Sequence, residues 1–151
     1  MAGVRRMDHV GIIVEDLEAA TAFFLDLGLE VEGSMTVQGE WVESIIGLKN
    51  VHDDLVMMRT PDGVAKVELV KFHSPVDEAG PLPPAANRLG IRHITFLMDD
   101  LTATLDTLRS HGYDTIGQVR DYEDIFRVCY VHGPEGIIVE LAEEIGAGRS
   151  R

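Results

Sequence analysis

The sequence has a single cysteine, Cys129, so it lacks the pair that an internal disulfide requires. Cys129 lies in the apolar segment 126–130, which is typical of a small core side chain rather than a nucleophile. The fold must therefore be held by a noncovalent core. A chain of 151 residues is long enough to bury one.

Basic residues are also scarce, with 13 Lys and Arg against 26 Asp and Glu, which gives a net charge of -13. An acidic surface repels phosphate backbones and anionic lipid headgroups, so we expect neither a nucleic-acid partner nor a membrane partner. No apolar segment approaches the length that spans a bilayer. The first residues lead directly into a strand-like pattern, and we expect a cytoplasmic protein.

What the sequence does contain is an internal repeat. Residues 9–17 (HVGIIVEDL) match residues 93–101 (HITFLMDDL) at a shift of 84, and the match continues without a gap to Gly28 and Gly112. In a second match, a Pro-x-Gly turn precedes a Val-Glu-Leu strand at 61–69 and again at 134–141. The repeat predicts two tandem modules of the same structure.

Both modules begin with a predicted strand and helix. Short apolar runs at 10–14 and 94–98 favour strands. Asp16 and Asp100 stand where a helix N-cap is expected, and Gly28 and Gly112 where a left-handed C-terminal cap is expected. A helix of about three turns is therefore predicted between each Asp and Gly. The predicted core positions of the helices are Leu17, Ala20, Phe24 and Leu27 in the first, and Leu101, Leu105 and Leu108 in the second.

Later apolar runs predict strands that pair across turns. They cover residues 55–59 and 64–72 in the first module, and residues 127–132 and 137–142 in the second. We predict a βαβββ order for each module, of which these runs locate three of the four strands. The predicted fold class is α+β, with the two modules forming an open, cupped mixed sheet around a metal cleft.

Proline is rare outside one segment, which contains four of the six prolines: Pro75, Pro81, Pro83 and Pro84. Proline cannot donate a backbone hydrogen bond, so this segment is unsuited to a continuous strand. We predict a single domain over 1–151, with module one at about 7–73, a linker at about 74–90 and module two at about 91–145.

Four residues at repeated positions are candidate metal ligands. His9 and His93 open the first strand of each module, and Glu68 and Glu140 lie within apolar strand runs, where a carboxylate is costly unless it is paired or bound. Two imidazoles and two carboxylates suit a divalent transition metal. The remaining histidines, for which we expect solvated roles, are His52, His73, His111 and His132.

The duplicated strand-helix segments and the Val-Glu-Leu closings resemble the vicinal-oxygen-chelate superfamily over about residues 7–144. That superfamily includes glyoxalase I, methylmalonyl-CoA epimerase, extradiol dioxygenases, and bleomycin- or fosfomycin-resistance proteins. The resemblance implies one divalent ion per site (Zn, Ni, Co, Mn or Fe), a small-molecule substrate and a homodimer. The ligands that it implies are His9, Glu68, His93 and Glu140.

The resemblance to glyoxalase I and the epimerases implies a metal-dependent lyase or isomerase that stabilises an enediolate or enolate. Glu140, with Glu68 as the second candidate, would carry the proton. Glu43, Tyr122 and Arg127 are candidate substrate-binding residues. The alternatives are an exposed polar residue in a loop or strand for Glu43, and a structural ion pair for Arg127.

Three other functions remain open. A ligand- or antibiotic-sequestering protein of the bleomycin-resistance type would need no metal, whereas the four candidate ligands are all present. An extradiol dioxygenase would hold Fe(II) with two histidines and one carboxylate. A fosfomycin-resistance transferase would need three ligands and an electropositive pocket, which the net charge of -13 does not favour.

Overall fold

In the computed structural model, which describes residues 2–146, each half of the chain folds as a separate unit, Met1–Gly80 and Pro81–Arg151. The boundary falls within the proline-rich segment that we predicted to be the linker. Residues 75–93 contain no helix or strand, and residues 75–90 are exposed.

The first unit contains one four-stranded mixed sheet in the order β1-β4-β3-β2. Strand β1 runs parallel to β4, and the other neighbours are antiparallel. The elements in chain order are β1 (His9–Ile13), α1 (Leu17–Asp26), β2 (Glu30–Gln38), α2 (Glu40–Ile46), β3 (His52–Arg59) and β4 (Lys66–Ser74).

The second unit repeats this topology, with the strand order β5-β8-β7-β6 and a parallel pair of β5 with β8. Its elements are β5 (Ile94–Leu97), α3 (Leu101–Ser110), β6 (Arg120–Tyr122), β7 (Phe126–His132) and β8 (Ile138–Glu144), with a short 3-10 turn at Pro134–Gly136. The predicted α+β class and the tandem βαβββ order are confirmed, and both sheets are open.

Helices α1 and α3 begin and end where the sequence predicts. The Asp16 carboxylate accepts a hydrogen bond from Ala19 N at 2.9 Å, and the Asp100 carboxylate accepts one from Ala103 N at 2.9 Å. Gly28 and Gly112 follow the helices with φ of 98° and 90°, a backbone conformation that residues other than glycine rarely adopt. The matching caps give two helices of equal length, ten residues each.

Each helix packs on one face of its own sheet and buries an apolar core there. In the first unit the buried side chains of α1 are Ala20, Phe23 and Phe24, and Phe23 was missed by the predicted stripe. In the second unit Leu101, Leu105 and Leu108 are buried as predicted. Cys129 is buried as well, and this burial raises the pKa of its thiol to about 11, which agrees with a core role.

Side chains alternate between the two faces of a strand, so each sheet has a second face that points away from its helix. We call it the open face. In the first unit it carries Gly11 of β1, its register partner Glu68 of β4, and Asp53 of β3. In the second unit Thr95 of β5 and its register partner Glu140 of β8 occupy the corresponding positions.

Helix α2 is an element that the sequence did not predict, and strands β2 and β6 were not located by any predicted run. Residues 41–46 (WVESII) are rich in strand-forming side chains, which obscured a helix of only seven residues. Glycines define its ends, because Gly39 precedes it with φ 100° and Gly47 ends it in the left-handed conformation with φ 74°. The expectation that Glu43 lies in a loop or strand is therefore wrong.

No helix among residues 2–146 combines the length and the apolar character needed to cross a membrane.

Candidate metal centre

The first unit places His9 beside Glu68, with 3.8 Å between His9 Nε2 and Glu68 Oε2. The topology explains this placement. Strand β1 lies next to β4, Gly11 is the register partner of Glu68, and His9 lies two residues before Gly11 on the same face. Both side chains are partly exposed, at 38% and 25%, so a ligand could reach them. We call this pair half-site one.

Asp8 orients the His9 ring. Its Oδ2 lies 2.8 Å from His9 Nδ1, and this hydrogen bond lowers the pKa of Asp8. When Nδ1 donates its proton to a carboxylate, the lone pair on Nε2 faces the other way and is available to a metal. Nε2 is the His9 atom that lies near Glu68. The Asp8 carboxylate, the His9 imidazole and Glu68 therefore form the arrangement typical of a histidine that binds a metal.

Half-site two, in the second unit, pairs His93 with Glu140. His93 Nε2 lies 3.3 Å from Glu140 Oε2, and the two side chains are 38% and 23% exposed. The hydroxyl of Thr95 donates a hydrogen bond to the same Oε2 at 2.9 Å. The His93 ring contacts Tyr130, with ring centroids 5.0 Å apart and an interplanar angle of 43°. Hydroxyl and ring thus hold the two candidate ligands in place.

The donor sets fit a divalent metal. A metal bound about 2.0 to 2.2 Å from an imidazole nitrogen and a carboxylate oxygen separates those two atoms by roughly 2.9 to 3.4 Å. The 3.3 Å of half-site two lies within that range, and the 3.8 Å of half-site one requires a small side-chain movement. Within either unit, the described residues contain no group of three or more His, Cys, Asp or Glu suited to a metal. Among the described residues, each unit therefore contains one pair of candidate ligands.

The candidate substrate-binding residues occupy different environments. The Glu43 carboxylate accepts a hydrogen bond from Val51 N at 3.0 Å, which ties α2 to the segment before β3. Tyr122 is 61% exposed at the end of β6. Arg127 pairs with Asp121, with its Nε 3.0 Å from Oδ1, and its register neighbours place it on the helix-covered face, opposite to Glu140. The ion-pair alternative for Arg127 therefore describes its contacts.

The other histidines were expected to be solvated, and His73, which is exposed, also pairs with an aspartate. His73 Nε2 lies 2.7 Å from Asp54 Oδ2, and its ring centroid is 4.9 Å from that of His52. This pair belongs to the far end of β3 and β4. Neither His52 nor His73 therefore lies beside Glu68.

Sequence reasoning missed the three residues that hold the candidate ligands: Asp8, Thr95 and Tyr130. For Asp8 the signal was its adjacency to His9, and for Thr95 it was the mismatch with Gly11 when the repeats are aligned at a shift of 84. Tyr130 gave no such signal, because its contact with His93 depends on the register of β7 with β8.

Residues 8–130 match the family described as the glyoxalase/bleomycin resistance protein/dioxygenase superfamily. This range includes His9, Glu68 and His93, while Glu140 lies beyond its end. The match covers well over half of the chain, and the chain therefore belongs to that superfamily.

Individual relatives agree with this assignment. A glyoxalase family protein from Bacillus cereus is 38% identical, with a TM-score of 0.89, over 96% of this chain and 97% of its own. The uncharacterized protein YaeR of Escherichia coli strain K12 is 29% identical over 95% of this chain and 100% of its own. The fosfomycin resistance protein FosX of Listeria monocytogenes has a TM-score of 0.61, with 97% of each chain covered, and its 15% identity extends the likeness to the fold alone.

Proposed function

We propose that this chain is a metal-dependent lyase or isomerase of the glyoxalase I-like type, acting on a small molecule with vicinal oxygen atoms. The observation that carries the proposal is the repetition of one His/Glu pair, on the open face of the sheet, in both units. A single such pair would be an ordinary surface contact. Two pairs at matching register positions would supply the four ligands of one divalent ion in this proposal.

His9, Glu68, His93 and Glu140 would hold the ion, which would supply positive charge to an enolate or enediolate form of the substrate. Asp8 keeps His9 Nε2 directed toward the ligand position. Glu140, with Glu68 as the second candidate, is the group that would take a proton from the substrate carbon and return it. The partial exposure of both carboxylates leaves room for a substrate beside them.

The two half-sites could be joined within one chain or between two chains, and we propose a homodimer. Strands β1 and β5 are edge strands of their sheets. Each exposes a large aliphatic side chain at the corresponding position, Ile13 at 59% and Leu97 at 69%. Edge strands with exposed apolar side chains are surfaces on which another sheet can associate. A cytoplasmic location remains a prediction from the sequence.

Metal content measured by elemental analysis tests the proposal. We expect about one divalent ion per four-ligand site in the parent after supply with Zn, Ni, Co, Mn or Fe, and its loss in both His9→Ala and Glu140→Ala. The matched controls are His52→Ala and Glu18→Ala, which remove an exposed histidine and an exposed glutamate of the first unit and should keep the ion.

A parent that retains no metal after reconstitution would refute the enzyme proposal and favour a ligand-sequestering protein. A metal-loaded parent would next be assayed with hemithioacetals of α-ketoaldehydes, with acyl-CoA epimers and with catechols. Turnover of catechols alone, with Fe(II), would identify the dioxygenase alternative instead.

A further inference from the structure

The two half-sites share one template but differ at the position two residues after each histidine. That position is Gly11 in half-site one and Thr95 in half-site two. Each is the register partner of its glutamate, Gly11 with Glu68 and Thr95 with Glu140. The repeat therefore places a hydroxyl next to one carboxylate and a hydrogen atom next to the other.

The hydroxyl of Thr95 fixes the Glu140 carboxylate. It donates to Oε2 at 2.9 Å, and this oxygen is also the one that lies 3.3 Å from His93 Nε2. A carboxylate oxygen can accept more than one contact, so Oε2 can accept the hydroxyl proton and still bind a metal on its His93 side. Rotation of the Glu140 side chain away from that position would break the hydrogen bond, which opposes its release.

Glu68 has no such restraint. Among residues 2–146, no side chain donates a hydrogen bond to its carboxylate, and His9 Nε2 stands 3.8 Å away. A Cβ built on Gly11 would meet nothing within 4 Å except Glu68 Oε1, at 4.0 Å. The open space at Gly11 therefore leaves the Glu68 carboxylate free to turn.

The neighbouring strand shows a second difference between the half-sites. Tyr130 is the register partner of Glu140, and its ring contacts His93. The equivalent partner of Glu68 is Met57, an unbranched side chain that adapts its shape easily. Half-site two is thus flanked by a hydroxyl and an aromatic ring, whereas half-site one has a glycine and a methionine at the equivalent register positions.

We propose that Thr95 is a positioning residue that makes Glu140 the permanent acidic ligand of the metal and leaves Glu68 as the ligand that can exchange. The division rests on the metal site proposed above. It assigns unequal roles to two glutamates that the sequence repeat presents as equivalent. It makes Glu68 the carboxylate able to turn from the ion toward a substrate, and so it reverses the order of the two proton carriers given above, with Glu68 first and Glu140 second.

The test uses Co²⁺ alone, with affinity measured by competition against a chromophoric chelator and coordination followed by the visible absorption spectrum. Thr95→Val keeps the side-chain shape but removes the hydroxyl, and Thr95→Ser is the conservative variant that retains it. Gly11→Ser introduces a hydroxyl next to Glu68, and Gly11→Ala is its control for bulk. All four changes fall at exposed positions, and thermal denaturation of the metal-free proteins checks that each one folds.

We expect Thr95→Val to weaken Co²⁺ binding by about 10-fold to 100-fold and to change the absorption spectrum, as loss of an outer-sphere hydrogen bond does. Thr95→Ser should match the parent. Gly11→Ser should bind Co²⁺ more tightly than Gly11→Ala, because its hydroxyl restrains Glu68. As single changes to the parent sequence, Glu140→Gln should weaken Co²⁺ binding more than Glu68→Gln does.

The contrary outcomes are separable. If the parent binds Co²⁺ but Thr95→Val equals Thr95→Ser and Gly11→Ser equals Gly11→Ala, the division of roles is overturned and the metal site stands. If Glu68→Gln weakens binding more than Glu140→Gln, the division is also overturned. If the parent binds no Co²⁺, the metal site and this inference both fail.

Discussion

Asp53 is a buried carboxyl whose oxygen Oδ1 has no hydrogen-bond partner among residues 2–146. Its residue is 4% exposed, on the open face of the first sheet and in register with Phe72. Burial raises the pKa of Asp53, and the neighbouring Asp54 raises it further. The folded state therefore prefers Asp53 in its neutral form more strongly than the unfolded state does.

This preference predicts a pH dependence of folding stability. Because the folded pKa of Asp53 lies above the unfolded value, its contribution is fully present below the unfolded pKa and is lost as the pH rises through the folded pKa. Asp53→Asn, which cannot ionise, should gain stability relative to the parent as the pH rises from acid to neutral. Urea denaturation at a series of pH values measures the difference in free energy of unfolding.

Asp54 provides the control of opposite sign. Hydrogen bonds from Thr36 and His73 lower its pKa, so its contribution is present above the unfolded pKa and is lost as the pH falls through the folded one. Asp54→Asn should therefore lose stability at neutral pH and approach the parent in acid. A parallel pH profile for the two variants would contradict the assignment for Asp53.

At the scale of the elements, the N-terminal caps of α1 and α3 have the same geometry, because the Asp16 and Asp100 carboxylates each accept a backbone amide hydrogen bond at 2.9 Å. Asp16→Ala and Asp100→Ala should each lower the free energy of unfolding by about 1 kcal/mol, because an amide in the first turn loses its partner. Asp16→Asn and Asp100→Asn are the controls, since asparagine caps almost as well. Denaturation in urea measures the free energy of unfolding of the four variants. If an alanine variant lost no more stability than its asparagine control, the capping contribution would be refuted.

The elements also show how far the sequence could be interpreted. The repeat at a shift of 84, the aspartate caps and the apolar runs at 64–72 and 137–142 predicted both modules, because these signals are visible along the sequence itself. Helix α2 was hidden, since its strand-forming residues outweighed the flanking glycines. The contact of Thr95 with Glu140 depends on strand register, which no single segment encodes, and the contact of Asp8 with its neighbour His9 depends on the side-chain rotamers.

For the whole molecule, the proposed ion should link ligands that belong to different units. An ion that binds the folded chain stabilises it by mass action, by about 2.7 kcal/mol at a free concentration 100 times the dissociation constant. For a chain of this size that corresponds to a rise in melting temperature of about 5 to 10 °C. Thermal melts with and without a divalent metal measure it.

The variants His9→Ala and His93→Ala should each abolish the whole of this metal-dependent rise, because one ion would lose a ligand in either case. His52→Ala, an exposed histidine outside the half-sites, should keep it. If each variant retained about half of the rise, the two units would be binding separate ions, and the four-ligand proposal would be wrong.

The unlike residues at Gly11 and Thr95 have an evolutionary consequence. A single module that assembled with an identical copy of itself would carry every substitution on both sides, since symmetry repeats each change. Duplication within one gene removes that constraint, because each copy then mutates alone. Here one copy has a threonine and the other a glycine next to otherwise matching glutamates. Two copies within one chain can thus differ at matching positions, which two copies of an identical chain cannot do.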